Sequence, residues 1–119
     1  MQKNIEGGRI SKSDIDVQRI NEYIEGNFAE DISLQHLARV FSFRKEYFCT
    51  MYKKLSGKTL TAAIRDVRLR KACELLADSN VKISEVAREV GYDNVKYFSK
   101  IFHKQFNITP SKYHEKFLK

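Results

Sequence analysis

The side chains able to do covalent chemistry are few and poorly placed for it. His36, His103 and His114 have no carboxylate or thiol at ligand or triad spacing, and Cys49 and Cys73 stand alone without a CxxC or Cys/His pattern. The sequence has no glycine-rich phosphate loop. The expectation is a chain that is not an enzyme, with no metal or cofactor and two reduced thiols. What does recur at regular spacing is positive charge. Between Asp93 and Phe106, Lys96, Ser99, Lys100, His103 and Lys104 fall on one side of a helical period, opposite Tyr97, Phe98, Ile101, Phe102 and Phe106. Ammonium, hydroxyl and imidazole groups in one row are the chemistry of polyanion contact.

The elements that must position this row can be read outward from it. Ile83, Val86, Ala87 and Val90 mark one face of a preceding helix, Gly91 breaks it, and Asp93 can cap the next. Two short helices, a tight turn and a basic second helix read as a helix-turn-helix. An ordinary pair of core helices with a solvated charged face has the same spacing, so the stretch alone does not separate the two.

A repeat does. Leu34, Leu37, Ala38, Arg39 and Phe43 match Ile83, Val86, Ala87, Arg88 and Tyr92 at an offset of 49. After the turn the offset is 50: Tyr47-Phe48 matches Tyr97-Phe98, Met51 matches Ile101, Tyr52 matches Phe102, Lys54 matches Lys104 and Thr59 matches Thr109. One extra residue in the second turn accounts for the change. Two copies of one supersecondary unit are expected.

In chain order, residues 1–12 are polar, contain Gly7-Gly8 and read as a flexible lead. Ser13 or Asp14 can cap a first helix with Val17, Ile20, Ile24 and Phe28 on one face, ended by Gly26-Asn27. Ser33 caps the next, and Gly57 stops the one after. The first unit is expected over 13–58 and a linker over 59–79, a helix from about Leu60 to Asp78 without Pro or Gly. Ile64, Val67, Cys73, Leu75 and Leu76 would pack on the flanking units, and Arg65, Arg68, Arg70 and Lys71 make the linker basic. The second unit, 80–119, ends with Thr109-Pro110 opening a helix through Phe117, with Tyr113 and Phe117 packing back. The expected fold is all-α, about seven helices, with homeodomain-like three-helix subdomains and candidate recognition helices over 44–56 and 94–106.

Charge points the same way. The chain carries 22 Lys and Arg against 15 Asp and Glu, a formal net charge of +7. Residues 57–119 hold thirteen of those cations against seven acids, while residues 1–56 are near neutral. A basic half suits a polyanion. Neither a signal peptide nor an apolar run of about 18–20 residues is present, so a cytoplasmic protein without a membrane partner is expected.

The arrangement resembles the DNA-binding domain of the AraC/XylS family of bacterial transcription regulators over residues 16–117. The family pattern reads approximately I-A-x-x-x-G-[FY]-x-x-x-x-Y-F-x-[KR]-x-F-K-x-x-x-G-x-[ST]-P-x-x-[YF]-R. Here it is met by Val86-Ala87, Gly91-Tyr92, Tyr97-Phe98, Lys100, Phe102, Thr109-Pro110 and Tyr113, with Lys104 one place from the family's usual Lys. Val67-Arg68-Leu69 with Ala72, Leu75 and Leu76 follows the linker run R-L-x-x-A-x-x-L-L. Asn107 replaces the usual Gly, His103 the usual Lys, His114 the usual Arg, and Arg44 stands where a Ser usually caps. The histidine replacements remove fixed positive charge and so weaken any phosphate contact there. NEYIEGNFAEDISLQHLA is similar to output domains of response regulators of the YesN-like subgroup. The expectation is an output domain of a longer protein with a sensor or receiver domain, Gly7-Gly8 being the interdomain linker, rather than the alternative of a stand-alone small activator.

By position, the resemblance implies base reading by Glu46, Cys49 and Thr50 in the first unit and by Val95, Lys96, Ser99 and Lys100 in the second. It implies phosphate contacts by Lys45, Lys53, Lys54, His103 and Lys104, with Lys58, Thr59 and Thr109 as lesser candidates. Double-stranded DNA is the implied partner, RNA polymerase a further one, and transcription activation the implied outcome. With no Arg on either reading face, the site should lean on shape and A·T content. The alternative is a basic helical module that binds a protein partner or an acidic membrane surface.

Overall fold

The computed structural model describes residues 15–30 and 32–118. Among these the chain forms seven helices and no strand: α1 (Val17–Asn27), α2 (Leu34–Val40), α3 (Lys45–Ser56), α4 (Leu60–Leu76), α5 (Ile83–Glu89), α6 (Val95–Phe106) and α7 (Pro110–Glu115). Local chemistry explains most boundaries. Ser33 Oγ accepts from the His36 amide at 3.0 Å, and Thr59 and Thr109 accept from Ala62 and Lys112 at the starts of α4 and α7. Two caps differ from the sequence expectation. Asp16 caps α1, its Oδ1 accepting from the Gln18 and Arg19 amides, whereas Ser13 and Asp14 lie outside the described residues. Asn94, not Asp93, caps α6 through a 3.0 Å bond from the Tyr97 amide. Both neighbours are capping types, and the one directly before the first helical residue takes the role. The linker helix stops at Leu76, two residues short of Asp78, and α7 stops at Glu115, leaving Phe117 in a turn.

The chain builds two cores, and α4 belongs to both. Leu60, Ala63, Ile64 and Val67 join Ile20, Ile24, Leu37, Ala38, Phe48, Met51 and Tyr52. Leu69, Ala72 and Leu76 join Val86, Ala87, Val90, Phe98 and Phe102. At about 100° per residue the two apolar sets of α4 lie roughly 150° apart around its axis. The linker is therefore buried on one side at its start and on nearly the opposite side at its end. Phe28, after α1, is partly buried against both cores.

The sequence repeat is a structural repeat. Phe43 N donates to the Ala38 carbonyl at 2.9 Å, and Tyr92 N donates to the Ala87 carbonyl at 2.8 Å, closing equivalent turns. The turns place α3 against α2 and α6 against α5. The extra residue falls between Val90 and Asn94, ahead of α6.

Three of the four basic linker residues are engaged within the protein. Arg70 pairs with Glu25, Lys71 lies 3.8 Å from Glu25 and 3.9 Å from Glu74, and Arg68 is bonded to backbone carbonyls. The apolar stripe on the second helices is also narrower than the sequence suggests. Tyr47 and Tyr97 are 39% and 53% exposed, and Leu55 and Phe106 also reach solvent.

Candidate nucleic-acid interface

Each unit presents the outer face of its second helix. On α3, Lys45, Glu46, Thr50, Lys53 and Lys54 are exposed and Cys49 is half-buried. On α6, Lys96, Lys100, His103 and Lys104 are exposed, while Val95 and Ser99 are half-buried. Val95 packs partly on the second core and Cys49 partly on the first, so both offer only an edge to a ligand. Burial pushes the Cys49 thiol above its ordinary value, with Lys45 opposing and Glu46 adding to the rise. It therefore faces solvent as a neutral thiol.

Pairing distinguishes these cations from Arg70 and Lys71 of the linker. Among the described residues, Lys45, Lys53, Lys54, Lys96, Lys100 and Lys104 have no ion-pair partner, and α6 carries no acidic residue. An unpaired row of charge on a rigid helix attracts an anion without first losing a protein partner. Lys58, by contrast, is tied to Asp66 at 2.6 Å, and the Thr59 and Thr109 hydroxyls are engaged as helix caps.

Several residues near this face were not picked out from the sequence. The Tyr47 ring packs tilted against Phe43 at 5.8 Å, and Tyr97 tilted against Tyr92 at 6.0 Å, the same pair in each unit. Each phenol is held by a ring beneath it and reaches solvent beside Glu46 or Lys96. Their recurrence as Tyr rather than Phe was the available signal. Arg39, Arg44 and Lys45 line a cleft with Gln35, Phe43 and Glu46 where α2 meets the start of α3. The Arg44 side chain makes no cap bond, so the first amides of α3 lack a side-chain partner at the cap.

The remaining titratable groups have structural roles. His36 lies 3.1 Å from the Tyr23 hydroxyl. His114 Nδ1 is 2.9 Å from the Leu76 carbonyl, to which it donates, tying α7 to the end of α4 rather than facing a phosphate. Tyr52 donates to Asn21 Oδ1 at 2.6 Å, joining α3 to α1. Among the described residues no three His, Cys, Asp or Glu side chains converge on a metal position, and no helix is long and apolar enough to cross a membrane.

Two helix-turn-helix units, each with cations along its second helix that have no ion-pair partner among the described residues, are the architecture of a DNA-binding domain. A sequence family described as a helix-turn-helix domain matches residues 37–116. The C-terminal domain of AraT, a response regulator from Geobacillus stearothermophilus, is 31% identical, with a TM-score of 0.81 over 87% of this chain and 86% of that one. The C-terminal domain of the two-component response regulator yesN from Fusobacterium nucleatum is 30% identical, with a TM-score of 0.74 over 87% of this chain and 99% of that one. Among curated proteins, the bifunctional transcriptional activator/DNA repair enzyme AdaA of Bacillus subtilis is 33% identical over 99 residues, 83% of this chain and 47% of AdaA. The chain spans about a third of the length of other curated relatives it matches. The chain belongs to the AraC-type helix-turn-helix family of DNA-binding transcription regulators.

Proposed function

We propose that the chain grips one duplex through two adjacent major grooves, with α3 and α6 as the recognition helices. The supporting observation is the contrast in pairing: among the described residues the lysines of α3 and α6 have no ion-pair partner, while Lys58, Arg70 and Lys71 face carboxylates. Glu46, Cys49 and Thr50 read bases from the first unit, and Val95, Lys96, Ser99 and Lys100 from the second. Glu46 accepts from a cytosine amino group, Lys96 or Lys100 donates to guanine, and Thr50 or Val95 packs on a thymine methyl. Lys45, Lys53, Lys54, His103 and Lys104 hold phosphates, helped by Arg39, Arg44 and the Tyr47 and Tyr97 hydroxyls. Residues 13–58 and 80–119 act as the readers and 59–79 as their spacer.

Because the readers differ, the site is non-palindromic, with half-sites about one turn, roughly 10 bp, apart. Holding both on one rigid spacer favours a bent duplex, at a cost of order a few kcal/mol. The longer protein places a receiver or sensor domain ahead of this output domain and acts in the cytoplasm. It raises transcription through contact with RNA polymerase, as a relative named an activator suggests. The domain itself binds and does not catalyse.

Selection from a random duplex pool, followed by a salt titration, tests the reading. The expected result is a bipartite A·T-leaning site and a slope of log affinity against log salt of roughly −5 to −6, for about five to seven phosphates neutralised. A slope near zero, or equal binding to anionic vesicles at the same salt, would count against it.

A further inference from the structure

Arg68 lies midway along α4, and its guanidinium touches both units. Nε donates to the Phe28 carbonyl at 2.7 Å and Nη2 to the Glu30 carbonyl at 2.9 Å, both in the segment joining α1 to α2. The guanidinium carbon stands 5.3 Å from the centroid of the Tyr92 ring. A Cβ on Gly91 would lie 2.9 Å from Arg68 Nε, so the same fork also rests on the turn that aims α6. Beside it, Phe28 packs on both cores, with Lys71 Nζ 5.9 Å from its ring centroid.

The spacer helix fixes how far apart the readers are. It does not by itself fix how each core is rotated about the helix axis, because apolar packing is non-directional. A planar fork with two fixed carbonyl acceptors on one side and a ring face on the other is directional. A lysine ammonium at this place lacks the planar second donor. We propose that Arg68 is the positioning residue that sets the orientation of the α6 reader relative to the α3 reader. It thereby selects the spacing and helical phase of the two half-sites. This rests on the two-reader reading above. Two linked readers bind tightly only when their geometry matches the site, so a loosened clamp weakens the full site and relaxes its spacing while leaving each half-site alone.

Two measurements on the purified chain test it, using Arg68→Lys and Arg68→Gln. The first needs no DNA. Spin labels at Gln35→Cys and Ser84→Cys, equivalent exposed positions on α2 and α5, in a Cys49→Ser, Cys73→Ala background, report the distance between units. One narrow distribution is expected with Arg68, and a broadened or shifted one in either variant at temperatures where circular dichroism shows both folded.

The second uses the duplex recovered by selection, its versions with one base pair added or removed between half-sites, and each half-site alone. Arg68→Lys should bind the full site about tenfold more weakly and lose most of the preference for native spacing, with half-site affinities within about twofold. An unchanged distance distribution overturns the clamp. Equal losses on half-sites and full site overturn its role in spacing and leave only unit stability. A parent chain that binds no duplex would strike the two-reader reading, and the spacing role with it, while the distance measurement still decides the clamp.

Discussion

Ser42 and Gly91 occupy the same place in the two turns, and both are left-handed, with φ of 66° and 103°. At the ends of α3 and α6 the glycine changes units: Gly57 has φ 88° and Asn107 has φ 60°. Each unit thus needs two left-handed residues and supplies one glycine. A side chain there costs about 1 kcal/mol, less for Asn. Ser42→Gly should therefore raise unfolding free energy by about 0.5 kcal/mol, and Asn107→Gly by less, in urea melts. Gly91→Ala should cost clearly more than Gly57→Ala, because the added carbon meets Arg68 at Gly91 and open space at Gly57. Equal costs would mean that Arg68 yields freely.

His114 separates a structural role from an ionic one. Its ring donates to the last carbonyl of α4, and Tyr113 beside it packs on Phe102 at 5.9 Å. His114→Ala should lower stability by about 1 kcal/mol, the net worth of a typical hydrogen bond, and leave the salt slope of DNA binding unchanged. A slope that becomes shallower by about one unit would place His114 on a phosphate instead.

The architecture was legible because the repeat carries its own check. Chance amphipathicity can imitate Leu37 and Val86, but not the matched Ala-Arg and Tyr-Phe pairs as well. Roles that depend on a tertiary partner were less legible. Arg68, Arg70 and Lys71 look alike in the sequence, and nothing local says that one meets carbonyls and two meet Glu25. Tyr47 and Tyr97 were read as core by residue type. Each precedes a fully buried Phe by one position, about 100° around the helix, which turns its ring toward the rim. The exposed faces of α3 and α6 were visible as rows of polar residues, but the half-burial of Val95 and Cys49 depends on how deeply α6 and α3 sit in their cores.

Unpaired and paired cations should behave differently in binding. Lys54→Gln and Lys104→Gln should each make the salt slope shallower by about 0.9 and weaken binding to specific and unrelated duplexes alike. Lys71→Gln, whose ammonium already faces Glu25 and Glu74, should leave the slope where it was. Equal changes from all three would show that net charge, not the placement of charge on α3 and α6, governs the contact.

Alkali should destabilise the domain by way of half-buried thiols and of phenols that are half-buried (Tyr92) or buried (Tyr52). Burial pushes Cys49 and Cys73 above the ordinary 9.0, and Tyr52 and Tyr92 above the ordinary 10.0, with Arg68 partly opposing the rise at Tyr92. In each case the native state holds a proton that the unfolded chain has released. The unfolded state therefore binds fewer protons, and stability falls as pH rises. The contribution is fully present below the ordinary thiol value and is lost as pH climbs through the raised native ones. Urea midpoints should decline from about pH 9 upward, the thiols acting first and the phenols about one unit later. A Cys49→Ser, Cys73→Ala chain should keep its midpoint to about one pH unit higher before the tyrosines act. If that chain declines at the same pH as the parent, the early loss does not come from the thiols.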